Sequence, residues 1–119
     1  MRSNPPESPI LVACLCAAWC DTCDDYRRVF ESEAAQRAGQ VEFRWIDIED
    51  EAALVGDVEV ENFPTLVIAQ NGRAQFYGTI TPHARTLTRL VDAALANELT
   101  PVETDEVRDF ARRLVLSSS

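Results

Sequence analysis

The chain has 119 residues, of which 20 are acidic and 11 are basic, so its formal net charge is −9. This balance argues against a nucleic-acid surface, which needs clustered Lys and Arg, and against binding to anionic membranes. The length is enough for one domain that buries roughly two thirds of the surface exposed by its unfolded chain. We therefore expect one domain over residues 9–119, preceded by a polar, Pro-rich and disordered tail over residues 1–8.

The first half of the chain alternates between strand and helix patterns. Residues 9–16 form a continuous apolar run, which is typical of a strand buried on both faces. A helix that stops at Gly39 follows, and its predicted stripe consists of Cys23, Tyr26, Phe30, Ala34 and Arg37. A second strand is predicted over residues 41–48 and a short helix over residues 51–55.

The second half predicts a hairpin and two helices. Strands over residues 65–69 and 73–77 flank Asn71-Gly72, a strong signal for a hairpin turn. Thr81 as cap and Pro82 at the first position predict the start of a helix, with an apolar face of Leu87, Leu90, Val91, Ala94 and Leu95. A last helix is predicted after Pro101, and we expect it to pack on its own domain through Val107, Phe110, Ala111, Leu114 and Val115.

The motif Trp19-Cys20-Asp21-Thr22-Cys23 stands between the first strand and the first helix. In this setting a CxxC pair is typical of a redox dithiol, because two intervening residues bring the sulfurs together and a helix N-terminus stabilises a thiolate. We predict that Cys20 is the nucleophile and that Cys23, more buried on the helix, is the resolving thiol.

Three motifs resemble the thioredoxin family: the Trp-Cys-x-x-Cys motif after an apolar strand, Phe63-Pro64-Thr65 at the start of a later strand, and Asn71-Gly72 in the hairpin. The match covers residues 9–98. It implies an α/β, thioredoxin-like three-layer sandwich with a minimal β-α-β-α-β-β-α core and an extra C-terminal helix. It also implies that the peptide bond before Pro64 is cis and that Pro64 lies against the dithiol. Pro64 would then form, with Trp19 and Phe63, the surface where substrate docks.

The resemblance further implies an enzyme that acts on protein disulfides, receives electrons from a separate reductase and needs no bound cofactor.

All four cysteines fall within residues 14–23, too close together to cross-link distant parts of the chain. The apolar run over residues 10–18 is also far too short to span a bilayer. We therefore expect a cytoplasmic monomer without nucleic-acid or membrane partners.

Several positions depart from the family pattern. Asp21-Thr22 replaces the Gly-Pro of thioredoxins, and register counting puts Cys14 and Trp45 at the positions of the family's buried Asp and its Lys partner. We expect Asp21 and Thr22 to modulate the dithiol, because negative charge at Asp21 opposes stabilisation of the Cys20 thiolate. Further acidic residues near the site, namely Asp24, Asp25, Glu59 and Glu61, predict basic or neutral substrate surfaces.

Three alternatives concern the cysteines and the function. Cys14 and Cys16 alternate onto one strand face as small buried apolar residues, or Cys14 lies under the dithiol as a third thiol that traps or protects it. A zinc site built from Cys14, Cys16, Cys20 and Cys23 would require the first two to leave a buried strand, so we expect no metal. The rival function is a redox-inert binding or chaperone module with the same fold.

Overall fold

The structure is a computed structural model that describes residues 10–37, 39–56, 58, 60, 62–70 and 73–117, apart from the side chains of residues 115 and 117. Several predictions fall outside these residues. They concern the disordered tail over residues 1–8, the Asn71-Gly72 turn, Glu59 and Glu61 of the acidic rim, and the side chain of Val115.

Four strands and four helices follow one another in the predicted order. They are β1 (Ile10–Cys16), α1 (Asp21–Gln36), β2 (Val41–Asp47), α2 (Ala52–Val55), β3 (Thr65–Gln70), β4 (Arg73–Thr79), α3 (Ala84–Leu95) and α4 (Asp105–Ser117). The strands form one sheet in the order β2-β1-β3-β4. β1 is parallel to β2 and antiparallel to β3, while β3 and β4 form the antiparallel pair expected of a hairpin.

The central strand β1 is buried along its whole length because helices cover both faces of the sheet. Its residues alternate between two cores. Val12, Cys14 and Cys16 face the core that contains residues of α1 and α3, whereas Leu11, Ala13 and Leu15 face the core that contains residues of α2 and α4. This arrangement confirms the predicted three-layer sandwich with an additional C-terminal helix.

The buried stripe of α1 differs from the predicted one at Glu33, which is buried although Ala34 was expected there. The Glu33 carboxylate accepts hydrogen bonds from Thr88 Oγ1 of α3 at 2.9 Å and from Arg37 Nε at 2.8 Å. Arg37 Nη2 also contacts Asp92 Oδ1 of α3 at 2.6 Å. These partners raise the pKa of Arg37 and join α1 to α3, so burial of the Glu33 charge is compensated.

The predicted start of α3 at Thr81 and Pro82 is wrong. The helix begins at Ala84 with His83 as its N-cap residue, because the Thr81 carbonyl accepts the His83 N–H in a turn at 2.8 Å. The Thr81 hydroxyl lies 2.9 Å from the Thr86 hydroxyl and is therefore engaged away from the cap. At the other end, Leu95 is 41% exposed and does not belong to the buried face.

Helix α4 packs on its own domain, as predicted. Phe110 and Leu114 are fully buried in the core that also contains residues of β1, β3 and α2. Arg113 donates hydrogen bonds to the carbonyls of Leu54 and Val55, at 2.8 and 2.9 Å, and so holds the end of α2. Within the described residues, no helix combines the length and the apolar character needed to cross a bilayer.

We predict that Glu33→Ala lowers the free energy of unfolding by roughly 2 to 3 kcal/mol, because it leaves Thr88 and Arg37 without their acceptor. The matched control is Glu31→Ala, which breaks only the exposed pair with Arg27 on the same helix and should cost about 0.5 kcal/mol or less. Chemical denaturation of both variants measures the difference. Equal losses would contradict a stabilising role for the buried carboxylate.

Candidate dithiol site

Cys20 lies where the chain turns from β1 into α1. The Cys20 N–H donates a hydrogen bond to the Ala17 carbonyl at 3.0 Å and so closes a turn between the two elements. The Cys20 carbonyl accepts a hydrogen bond from the Asp24 N–H at 3.2 Å. Cys20 is therefore the N-cap residue of α1, with extended backbone angles and a half-buried side chain. The unpaired N–H groups and positive dipole of a helix start favour negative charge at this place.

Cys23 lies in the first turn of α1 and is buried, with 1% exposure. It forms a disulfide with Cys16, the last residue of β1, across a Cα–Cα distance of 5.9 Å. The predicted disulfide between Cys20 and Cys23 is thus not the one present in the structure, and Cys20 is a free thiol. The reason is the pleat of β1, which directs Cys16 toward the face on which Cys23 packs.

Cys14 lies on the same face of β1, as the alternation predicts, and is completely buried. Its Sγ is 3.7 Å from Cys16 Sγ. Because Cys16 is bonded to Cys23 and carries no proton, Cys14 must be the donor in this contact. Burial raises the pKa of the Cys14 thiol far above its ordinary value, so the thiol keeps its proton at neutral pH.

The surroundings of Cys14 are apolar and aromatic. Trp45 of β2 is its partner in the β1–β2 register. The two positions that the sequence predicts to replace the family's buried Asp and its Lys partner are therefore neighbours in space. Tyr26 is buried nearby, and among the described residues its hydroxyl has no hydrogen-bond partner. Burial above all raises the Tyr26 pKa, and the negative charge that Cys14 would carry if ionised and that of Glu33 act in the same direction.

The residues predicted to contact substrate are only partly at the surface. Trp19 is 65% exposed, and its ring meets that of Phe63 edge to face, with 5.5 Å between centroids. This contact joins the segment before Cys20 to the segment before Pro64. The Phe63–Pro64 peptide bond is cis, but the Pro64 ring is buried, so the surface at this place consists of Trp19 and the half-buried Phe63.

Polar residues of the site face solvent at the start of α1. Asp21 and Thr22, which separate the two cysteines, are exposed, as are Asp24 and Asp25. The charges of the three Asp residues are consequently screened by water and salt.

In the part of the chain that the structure describes, no three His, Cys, Asp or Glu side chains are grouped to hold a metal ion. The four-cysteine zinc alternative is not formed, because two of its sulfurs are bonded to each other.

Sequence reasoning missed Cys16 and Tyr26 as members of the site. The signal for Cys16 was present, because the alternation that puts Cys14 beneath the dithiol also puts Cys16 on that face, closer to the helix start. Tyr26 was predicted only as a core residue. Its proximity to Cys14 depends on how α1 packs against β1, which no local pattern specifies.

Comparison with known proteins identifies the family and supports the fold. The family model described as Thioredoxin matches residues 3–96. Similar solved structures include a thioredoxin from Trypanosoma brucei brucei, with 24% identity, a TM-score of 0.66, and coverage of 76% of this chain and 78% of that one. The germline-specific thioredoxin Deadhead from Drosophila melanogaster matches with 20% identity, a TM-score of 0.65, and coverage of 71% and 80%.

A structure described as a malarial protein has 16% identity and a TM-score of 0.65, over 73% of this chain and 98% of that one. At these identities the structural matches show the fold alone, whereas the family model covers most of the chain. Together with the close cysteines at the start of α1, the family match supports thiol–disulfide redox chemistry in general. The chain belongs to the thioredoxin family.

Proposed function

We propose that this chain is an oxidoreductase that reduces protein disulfides, with Cys20 as nucleophile and Cys23 as resolving thiol. The observation that carries the proposal is the state of the two sulfurs. Cys20 is a half-buried free thiol at a helix N-terminus, and Cys23, three residues on, is buried and already bonded to another sulfur. A partly accessible thiol three residues before a buried sulfur that already forms an internal disulfide supports this assignment of nucleophile and resolving thiol.

The proposed reaction begins from the fully reduced protein, in which a reductase has opened the Cys16–Cys23 disulfide, with attack of the Cys20 thiolate on a substrate disulfide. The substrate S–S bond breaks, a mixed disulfide forms, and one substrate sulfur leaves as a thiolate. The Cys23 thiolate then attacks Cys20 Sγ, which forms the Cys20–Cys23 disulfide and releases the second substrate thiolate. Two electrons have passed to the substrate, so a separate reductase must return them before the next cycle.

The substrate contact proposed here is the surface of Trp19 and Phe63. Their edge-to-face pair places apolar area immediately beside Cys20, and Trp19 is mostly exposed. The exposed carboxylates at Asp21 and Asp24 favour basic or neutral substrate surfaces at the same place. We propose that the protein acts as a monomer in the cytoplasm, where thiols are kept reduced.

The rival function is a binding or chaperone module in which the dithiol is inert. It is favoured by the register count, which predicts Cys14 and Trp45 at the positions of the family's buried Asp and its Lys partner; the two residues are paired between β1 and β2. The free thiol of Cys20 favours the oxidoreductase, because a packing role would not need a cysteine at a half-exposed helix cap.

We predict that Cys20→Ser abolishes reduction of a protein disulfide by the reduced protein, because the first attack is lost. Turbidity or thiol release from a disulfide-linked substrate protein measures the rate, with dithiothreitol as electron source. Cys14→Ala is the matched control and should keep most of the activity, since Cys14 is buried and protonated. Undiminished activity in Cys20→Ser would contradict the proposed nucleophile and favour the binding module.

We predict that Trp19→Ala lowers kcat/KM for a protein disulfide by about three- to tenfold, as expected for loss of one aromatic contact. The melting temperature should change little, because the side chain is 65% exposed. The control Leu95→Ala removes another exposed apolar side chain, from the end of α3, and should leave kcat/KM unchanged. Equal kinetics for both variants would show that Trp19 does not contact substrate.

A further inference from the structure

We propose that Cys16 is a second partner for Cys23, so that the oxidised protein exchanges internally between a Cys20–Cys23 disulfide and a Cys16–Cys23 disulfide. This inference rests on the proposed function, because it needs Cys20 and Cys23 as the working pair. It adds a third sulfur to the site and a second oxidised state, in which the nucleophile is free.

Cys16 belongs to the same apolar cluster as Cys23, and Cys20 packs against that cluster. Toward the core, Cys16 at the end of β1 is bonded to Cys23 in the structure. Toward the surface, Cys20 caps the helix whose first turn contains Cys23, and its half-buried side chain packs on the same apolar cluster. The Cys20 carbonyl accepts the Asp24 N–H, which fixes the cap against that turn.

The exchange is an isomerisation without net oxidation. The Cys16 thiolate attacks Cys23 Sγ, the Cys20–Cys23 bond breaks, and the electron pair leaves on Cys20 Sγ. Cys16 loses its proton to solvent before the attack, and Cys20 Sγ takes a proton from solvent after it leaves, so the exchange has no net proton change. In the reverse direction the Cys20 thiolate attacks Cys23 Sγ and Cys16 leaves.

Burial favours the Cys16–Cys23 isomer. Cys16 is 1% exposed, and a thiolate at such a place is poorly solvated, so the sulfur is better accommodated in an uncharged disulfide. Cys20, by contrast, leaves as a thiolate that water reaches and that the start of α1 stabilises.

The second isomer changes what the site does with a substrate. With Cys23 held by Cys16, Cys20 still attacks a disulfide, but no resolving thiol is available to release the product. The mixed disulfide then persists until an external thiol opens it. The fully reduced protein thus reduces a substrate and releases it, whereas the Cys16–Cys23 isomer retains a substrate covalently on Cys20. Cys16 determines how much of the oxidised protein is in the isomer with a free Cys20.

The direct test locates the disulfide in the oxidised wild-type protein. The protein is oxidised with the cyclic disulfide of dithiothreitol, quenched with acid, alkylated with N-ethylmaleimide and digested. Cleavage after Leu15 and Trp19 and before Asp21 separates the cysteines for mass spectrometry. We expect a peptide linked through Cys16 and Cys23, with N-ethylmaleimide on Cys20. Linkage of Cys20 to Cys23 alone, with Cys16 alkylated after unfolding, would overturn the proposal.

A second test uses a molar excess of the aromatic disulfide 5,5′-dithiobis(2-nitrobenzoate) on the reduced protein, so that one equivalent oxidises the dithiol and a second can react with a Cys20 thiol freed by the isomerisation. The wild type should retain one thionitrobenzoate on Cys20, whereas Cys16→Ala and Cys16→Ser should retain none, because Cys23 resolves every mixed disulfide. Cys14→Ala, another buried-cysteine variant, should retain the adduct as the wild type does. Loss of the adduct in Cys14→Ala, or its retention in both Cys16 variants, would refute the role of Cys16.

The same variants separate this inference from the proposed function. Reduction of a protein disulfide should continue in Cys16→Ala, because Cys20 and Cys23 are intact. If the wild type turns over substrate but carries only the Cys20–Cys23 linkage, the second isomer is wrong and the oxidoreductase stands. If the Cys16–Cys23 linkage forms but neither protein reduces a disulfide, the proposed function is wrong.

Discussion

The packing of α1 on β1 is the interaction on which the rest of the site depends. The pleat of β1 sends Cys14 and Cys16 to one face, and α1 covers that face with Cys23 in its first turn. The protein consequently carries cysteines in its core as well as in the surface motif. A change in the register of β1 by one residue would turn both strand cysteines toward α4 and dismantle the cluster.

The cysteines differ in environment, and those differences set their roles. Cys14 is buried and keeps its proton, Cys16 and Cys23 share a bond under the helix, and Cys20 is partly accessible at the helix start. Accessibility therefore falls from Cys20 to Cys14 along a short path from the surface to the sheet. In the proposed chemistry a substrate meets only the outermost sulfur, and the inner ones determine how long it stays attached.

The elements near the site could be predicted because their signals are local. The apolar run of β1, the CxxC at the start of α1 and the Pro before β3 each depend on neighbours in sequence. The disulfide partner of Cys23 could not be predicted in this way, because it depends on the packing of α1 across the sheet. Burial of Glu33 also escaped prediction, since its compensation comes partly from Thr88 of another helix. The start of α3 was misplaced because Thr81 bonds Thr86 and does not cap the helix.

The central claim is that Cys23 forms the disulfide in both oxidised states, with Cys20 in one and with Cys16 in the other. The most direct test is equilibration of the wild type and Cys23→Ser across thiol/disulfide buffers, with alkylated cysteines counted by mass spectrometry. The wild type should show a reversible two-electron couple that Cys23→Ser lacks, because Cys16 and Cys20 are each proposed to pair with Cys23. A two-electron couple that survives in Cys23→Ser would contradict the claim and place the redox chemistry on other cysteines.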